Sequence, residues 1–417
     1  MTESAVAPGA QGQEGEGKHG PLDGLRVIEL GTLLAGPFAG RLLGDMGAEI
    51  IKVEAPGKPD PLRDWGHARY KGRSLWWPVQ SRNKKCVTLN LRVEKGQELL
   101  RELLKQSDVV TENFRPGTLE RWNLGHERLS EINPRVILVR ISGYGQTGPY
   151  AKRAGFASVA EAMGGIRHIN GFPDEPPPRT GISLGDSLAA MFGVQGLLAA
   201  IYERDVAGSG KGQVVDVSLM EASFALLESA VPEYDRLGIV RQPSGTFLKG
   251  VAPSNIFKSK DDKWVVIGAN HDNVFRRLCN AMGMPELKDD PKFATHLARG
   301  ENQEEIDGII AVWVKERDAR EVDDILNEAG VICGPIYTVA DIFEDPQFQA
   351  RDMLLEHDDP EFGSFIGPGI VPKFSHTPGR LRWSGTWDEG SHNAEIWGGM
   401  LGLAEDELSA LKAEGVI

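Results

Sequence analysis

Two short apolar runs separated by one helix-length stretch restrict the fold of this chain more than any other feature. Leu25-Arg26-Val27-Ile28-Glu29-Leu30 reads as a buried strand. A glycine-bearing turn follows at 31–36, and Pro37 suits the first turn of a helix that runs to about Met46. Glu49-Ile50-Ile51-Lys52-Val53 is the second strand. Strand, helix and strand joined by such short connections make a crossover unit, so the strands are parallel. Further strands are expected at 86–91, 108–112, 136–141 and 213–217, with a helix at 94–106, so residues 21–232 read as one α/β domain.

The ends of these strands carry unusual residues. One finishes in Asn113-Phe114-Arg115-Pro116-Gly117, another in Ser142-Gly143-Tyr144-Gly145-Gln146-Thr147-Gly148-Pro149. Parallel α/β sheets bind ligands at such strand ends. Glu54 closes the second strand, where a nicotinamide enzyme places its ribose-binding acid. The glycine fingerprint is nevertheless missing, because Gly31 and Gly36 have four residues between them. That counts against a dehydrogenase.

At 417 residues the chain is long enough for two domains. From 233 its character changes. An antiparallel pair, 254–257 and 264–267, is joined by the turn Lys260-Asp261-Asp262, and helices follow at 273–282, 303–314 and 319–329. Residues 233–333 therefore read as a smaller α+β domain. Beyond it, 369–374 is strand-like and 401–411 fits a helix.

A net charge of −14 argues against a general nucleic-acid binder. Cys86, Cys279 and Cys333 are scattered, which fits a reducing compartment without a disulfide framework or a zinc site. Residues 1–20 are rich in Gly, Glu, Gln and Ala and lack the apolar core of a signal peptide, so we expect a disordered tail on a cytoplasmic protein. The best candidate for a membrane span, 188–202, falls short of the ~20 residues a bilayer requires.

Gly181-Ile182-Ser183-Leu184-Gly185-Asp186-Ser187-Leu188 places one acid before a long apolar run that stops at Ala207-Gly208. Asp186 is thus expected at or just before the first turn of a mostly buried helix. An aspartate there is more often a cap than a catalyst. The same geometry also keeps a carboxylate ionised, beside free N–H groups and the positive end of the dipole. Such a carboxylate can attack an activated acyl group such as a thioester, with backbone N–H groups holding the oxyanion. A second feature is the basic stretch 70–85, with Lys71, Arg73, Arg82, Lys84 and Lys85 and no acid. It reads either as a solvated loop or as a seat for a polyanion.

Taken together, the motifs resemble a known family, the class III CoA-transferases, which includes the formyl-CoA, carnitine and dicarboxylate CoA-transferases and the α-methylacyl-CoA racemases. The matching residues are Pro21-Leu22-Asp23-Gly24, Ala35-Gly36-Pro37, Met46-Gly47-Ala48, Ile51-Lys52-Val53-Glu54, Asn83-Lys84-Lys85, Glu112-Asn113-Phe114 with Pro116-Gly117, and Asn133-Pro134-Arg135. Gly145-Gln146 with Gly148-Pro149, Gly185-Asp186, Gly210-Lys211-Gly212-Gln213, Gly334-Pro335 and Asp345-Pro346-Gln347 continue the series. Each is weak alone; their order and spacing over residues 21–382 carry the resemblance.

The resemblance implies a large Rossmann-like domain made from both chain ends, with residues 334–417 returning to it, and an interlocked homodimer. It implies that Asp186 forms an acyl-aspartyl anhydride and then an enzyme–CoA thioester. It also implies CoA contacts at Leu89, Arg92, Asn113, Phe114 and Arg121, with Arg115, Lys84 and Arg153 as basic partners for its phosphates. No permanent cofactor, metal, nucleic acid or membrane is implied; the acyl-CoA thioester is a substrate. Succinyl-CoA is the expected donor, with a small dicarboxylate or hydroxy acid as acceptor.

Four departures qualify this. The racemase branch uses a histidine after its Ala-Gly, whereas Ala154-Gly155 is followed here by Phe156, which cannot move a proton. The glycine-rich loop of the formyl-CoA branch is replaced by Gly250-Val251-Ala252-Pro253-Ser254, and two of that branch's CoA positions hold Leu34 and Ala55. Glu161 stands where many transferases have Gln, either to alter acceptor choice or as a helix-surface residue. A racemase or epimerase and a non-catalytic CoA-binding protein are the competing readings.

Overall fold

The computed structural model describes residues 20–417, so the expected tail lies outside the described residues except for Gly20. The chain folds as two compact units. The larger comprises residues up to Ala160, Ser183–Ala222 and Asp352–Ile417; the smaller comprises Glu161–Ile182 and Ser223–Arg351.

In the larger unit, β1 (Arg26–Glu29) and β2 (Glu49–Glu54) are followed by a two-residue ribbon, β3 (Arg69–Tyr70) and β4 (Arg73–Ser74). Then come β5 (Lys84–Thr88), β6 (Val109–Glu112), β7 (Ile137–Ser142) and β8 (Val214–Ser218). Six of these form one sheet in the order β5-β2-β1-β6-β7-β8, parallel throughout. The order reverses between β1 and β6, as in doubly wound α/β sheets, and the crevice beyond the strand ends there is where such sheets take ligands. Side-chain alternation sends neighbouring residues to opposite faces. Val27, Ile50, Val109, Ile137 and Val139 pack with helices Ala35–Asp45 and Leu184–Tyr202. Ile28, Ile51, Val87, Val110 and Leu138 pack with helices Glu94–Leu104 and Glu405–Ala413.

The smaller unit is built on β9 (Ser254–Lys258), β10 (Trp264–Gly268) and β11 (Ile332–Pro335), all antiparallel in the order β11-β10-β9. Phe257, Val265 and Ile267 face a core completed by Phe275, Leu278, Ile306, Ile310 and Trp313. This unit differs from the expected 233–333. It begins at Ser223, extends to Arg351, and also takes Glu161–Ile182. The reason is local bonding. After β11 the Ile336 amide donates to Trp264 O, which keeps the chain on the sheet, and the Tyr337 hydroxyl donates to Asp345. The Gly245 amide donates to Gly171 O, tying in the 161–182 segment.

The strand expected at 369–374 does not form. The chain pairs earlier, as the hairpin β12 (Leu354–Asp359) and β13 (Gly363–Pro368). Pro368 and Pro372 lack the N–H groups that would extend the ladder.

Candidate active site

The helix expected around Asp186 runs Leu184–Tyr202, continues as a π-helical segment Glu203–Ala207, and ends on left-handed Gly208. Residues Leu184–Ala207 are long and apolar enough, by length and composition, to cross a membrane, contrary to the shorter run read from the sequence. One face of this helix is committed to the sheet: a Cβ on Gly193 would meet Val139 and Ile141 at 3.4 Å, and one on Gly196 would come within 2.6 Å of Val215. Asp186 lies two turns before Gly193, ~10 Å further toward the C-terminal ends of the strands at 1.5 Å per residue. It sits in the first helical turn and is half-buried, and the N-cap position belongs to Ser183. Asp186 is therefore not the N-cap residue that its type first suggested.

At the same edge of the sheet, the loop 31–34 after β1 is held by side chains from neighbouring strands. The Lys52 ammonium donates to Gly31 O at 2.9 Å. Thr32 N donates to Asn113 Oδ1 at 2.9 Å, and Asn113 Nδ2 donates back to Thr32 O at 2.8 Å. Leu33 N donates to Asp60 Oδ1 at 3.0 Å. Lys52 also pairs with Glu29 at 2.9 Å and Asp60 at 2.8 Å, and all three are fully buried. Burial alone would lower the Lys52 pKa, but Asp60, Glu29 and Glu54 together raise it. Burial would raise that of Asp60, but Lys52 holds it down. Two principal carboxylates for one ammonium keep this charge fixed.

Lys84 corrects an expectation. Its ammonium is fully buried, 2.7 Å from Glu29 Oε2, and donates to Pro37 O at 2.6 Å. Burial lowers its pKa despite Glu29, which it shares with Lys52. An ammonium so enclosed does not reach a phosphate in solvent.

The other expected CoA residues fall along one edge. Leu89 is buried just beyond β5, and Arg92 is exposed three residues on. The segment is gripped by distant parts of the chain. Asn393 accepts from Thr88 N at 2.9 Å and donates to Thr88 Oγ1 at 2.7 Å, and Asn90 N donates to Val416 O. Asn113, Phe114, Arg115 and Arg121 follow β6, three strand spacings or ~14 Å across the sheet. Phe114 is half-buried, edge-on to Trp122 at 5.3 Å, and its amide donates to Glu112 Oε2 at 2.6 Å. Arg140 in turn pairs with Glu112 at 2.7 Å and Glu120 at 2.6 Å. Arg115 and Arg121 are exposed, and Arg121 donates to Thr118 Oγ1. Arg153, beyond β7, is exposed and stacks on Tyr150 at 3.6 Å.

Lys52, Glu29, Asp60 and Arg140 were missed in the sequence. For Glu29, Lys52 and Arg140 the signal was present, a charge inside an otherwise apolar strand, as in Ile51-Lys52-Val53 or Val139-Arg140-Ile141; Asp60, in the loop after β2, carried no such signal. Glu161, read as either an acceptor determinant or a helix-surface residue, is buried at 1% exposure, which removes the second reading.

The profile of CoA-transferase family III matches residues 22–393. The chain belongs to CoA-transferase family III. A succinyl-CoA–D-citramalate CoA-transferase of Chloroflexus aurantiacus is 53% identical over 95% of this chain and 98% of its own length. The beta subunit of the succinyl-CoA–L-malate CoA-transferase of the same organism is 39% identical over 95% of this chain and 98% of that one. The crystal structure of a CAIB/BAIF family protein from Brucella suis superposes with a TM-score of 0.79 at 34% identity, over 92% of this chain and all of that one. This family III CoA-transferase moves CoA between an acyl-CoA and a carboxylic acid.

Proposed function

We propose that the enzyme takes CoA from succinyl-CoA and passes it to a small hydroxy-dicarboxylate of the citramalate or malate type, with Asp186 as nucleophile. The relative at 53% identity supports the substrate pair. The position of Asp186 carries the mechanism: a carboxylate in the first turn of a helix, at the edge where the strand-end loops converge. A carboxylate oxygen of Asp186 attacks the thioester carbonyl, the C–S bond breaks, and CoA leaves as thiolate from an acyl-aspartyl anhydride. The thiolate then attacks the Asp186 carbonyl carbon, and the anhydride C–O bond breaks to release the donor acid. The acceptor carboxylate repeats both steps in reverse. Orientation and exclusion of water supply the rate, because no proton need be moved.

Leu89, Arg92, Asn113, Phe114, Arg115, Arg121 and Arg153 form the CoA-binding edge in this reading. Phe156, exposed beyond Gly155, leaves the racemase reading without its second acid/base group.

The partner is a second copy of the chain, interlocked with the first. Met191, Leu198, Tyr202 and Val206 lie exposed along one side of the Asp186 helix and its extension, an apolar stripe that such a copy would cover. The scattered thiols, two of them buried, support a reducing, cytoplasmic setting.

The test is CoA exchange between succinyl-CoA and citramalate or malate, followed by chromatography of the acyl-CoA products, with sedimentation for the dimer. New acyl-CoA with one of these acids supports the reading. Exchange only with chemically unrelated acids overturns the substrate pair, and a monomer in active fractions overturns the dimer.

A further inference from the structure

We propose that Arg140, acting through Glu112 and Glu120, is a positioning residue for CoA: it sets the 114–121 segment from behind and does not touch the ligand. That segment leaves β6, one of the two strands between which the sheet order reverses, so it borders the crevice. It carries one half-buried aromatic ring, Phe114, and two exposed guanidiniums, Arg115 and Arg121. Neither arginine pairs with a carboxylate among the described residues, and Arg121 donates to the neutral Thr118 Oγ1 at 2.9 Å. A flat apolar ring beside two uncommitted planar forks suits a nucleotide with its phosphates. The inference rests on the CoA-binding edge given above.

Arg140, by contrast, is fully committed. It lies on β7 opposite Glu112 of β6 and is buried. Its Nε donates to Glu112 Oε1 at 2.7 Å, and its two terminal nitrogens donate to Glu120 Oε1 and Oε2 at 2.6 and 3.3 Å. The second oxygen of the buried Glu112 accepts from Phe114 N at 2.6 Å. One guanidinium therefore ties both ends of the segment: Phe114 through Glu112, and the short helix Thr118–Arg121 through Glu120. An ammonium lacks the planar fork that serves two carboxylates at fixed angles.

The segment between these two ties is shaped to bring its functional side chains together. Gly117, at φ 82°, turns the chain so that Thr118 N donates to Arg115 O at 3.1 Å and the short helix begins. Arg121 comes back beside that turn: a Cβ on Gly117 would lie 3.5 Å from Arg121 Nη1. Gly125 leaves room for Glu120, since a Cβ there would come within 3.1 Å of Glu120 Cγ. The Phe114 ring stands edge-on to Trp122, the residue after Arg121, at 5.3 Å. Phe114 and Arg121 are thus set by one turn of chain, and loss of Arg140 would release both while leaving buried Glu112 without its cation.

The experiment measures dissociation constants for CoA on the full chain, with urea unfolding and with KM and kcat for succinyl-CoA. The variants are Arg140→Met, Arg140→Lys, Glu120→Ala and Arg121→Ala, and Glu120→Ala is also placed in the Arg121→Ala background. Arg121→Ala removes a direct contact and should weaken CoA about 10-fold. Arg140→Met should weaken CoA by a similar ~10-fold and raise KM more than it lowers kcat. Arg140→Lys should recover most of the urea midpoint yet leave CoA at least ~3-fold weaker, because the charge returns without the fork. Glu120→Ala should cost about 3-fold in the wild type and less than ~1.5-fold in the Arg121→Ala background, because it acts through Arg121.

A lowered urea midpoint with KM and CoA affinity unchanged in Arg140→Met would show a purely structural role. With Arg121→Ala weakened, that result overturns the positioning claim and leaves the CoA-binding edge standing. Where Arg140→Met does not fold, Glu120→Ala decides: unchanged affinity there, or equal losses from it in both backgrounds, overturns the proposal. An Arg121→Ala variant that binds CoA like the wild type overturns the CoA-binding edge itself, and the proposal with it.

Discussion

In the six-stranded sheet, the residues near the strand ends are charged and paired across the register. Glu29 of β1 lies beside Lys52 of β2, and Glu112 of β6 beside Arg140 of β7, which in turn neighbours Asp216 of β8. In the three-stranded sheet of the smaller unit, the buried positions are Phe257, Val265 and Ile267. Among the described residues, the smaller unit buries only two charged side chains, Glu161 and Arg299.

Burying an ion pair is weak as a source of stability, because desolvation offsets most of the attraction. The larger unit carries such pairs where a loop has to be held: Lys52 on Gly31 O and Glu112 on Phe114 N. The difference between the sheets therefore separates residues that set a loop from residues that fill a core.

The contrast breaks most visibly at Asp186, which belongs to neither set. Asp186→Ala should lower turnover by ~10³-fold or more while CoA binding stays within about 3-fold of wild type, as expected when a covalent nucleophile is lost. Initial rates and calorimetry check this, and activity near wild type would remove the aspartyl mechanism.

Next in size is Lys52→Met. It leaves buried Asp60 without its cation and Glu29 with Lys84 alone, and should cost ~3–5 kcal/mol in urea unfolding, with KM for acyl-CoA raised in any folded fraction. Its counterpart in the smaller unit is Ile310→Ala, fully buried in that core. The cavity should cost ~2–4 kcal/mol with KM for acyl-CoA unchanged. Equal KM effects in the two variants would erase the distinction drawn here.

His357 sharpens the comparison through pH. It is fully buried on β12 and stacked on Phe365 at 4.6 Å. Burial, then Arg82 and Arg41, push its pKa down to about 4, against the opposing pull of Asp45 and Asp359. The unfolded chain titrates near ~6.5, so it binds more protons than the folded chain between the two values. Stability contributed by the neutral ring is complete above about pH 6.5 and is lost as pH falls toward about 4. Urea midpoints across that window should decline, and His357→Leu should flatten the decline; an equal slope in both proteins contradicts the assignment. The smallest effect belongs to the half-buried Lys85, paired with Glu49 and Glu395 at 2.6 Å: Lys85→Ala should change stability by less than ~1 kcal/mol.

Much of the scaffold was legible because it depends on local pattern. The strand-helix-strand start, the antiparallel pair at 254–267 and the end of the Asp186 helix at Gly208 follow from periodicity and from glycine placement. What was not legible depends on partners distant in sequence. Lys84 looked like one cation in a basic stretch, and only the fold brings Glu29 and Pro37 O to it. Asn113 could be matched to a CoA contact, but nothing near it in sequence shows that its amide closes on Thr32, 81 residues away. The limits of the smaller unit depend likewise on β11 returning to β10 and on Gly245 meeting Gly171.

The central claim is that CoA passes through a covalent bond to Asp186. Mass spectrometry of the intact protein after succinyl-CoA without acceptor, then digestion with and without hydroxylamine, tests it directly. The account predicts a CoA adduct on the peptide bearing Asp186, removed by hydroxylamine and absent from Asp186→Ala. An adduct that persists in Asp186→Ala, or a wild type that turns over succinyl-CoA while never carrying CoA on that peptide, would contradict it.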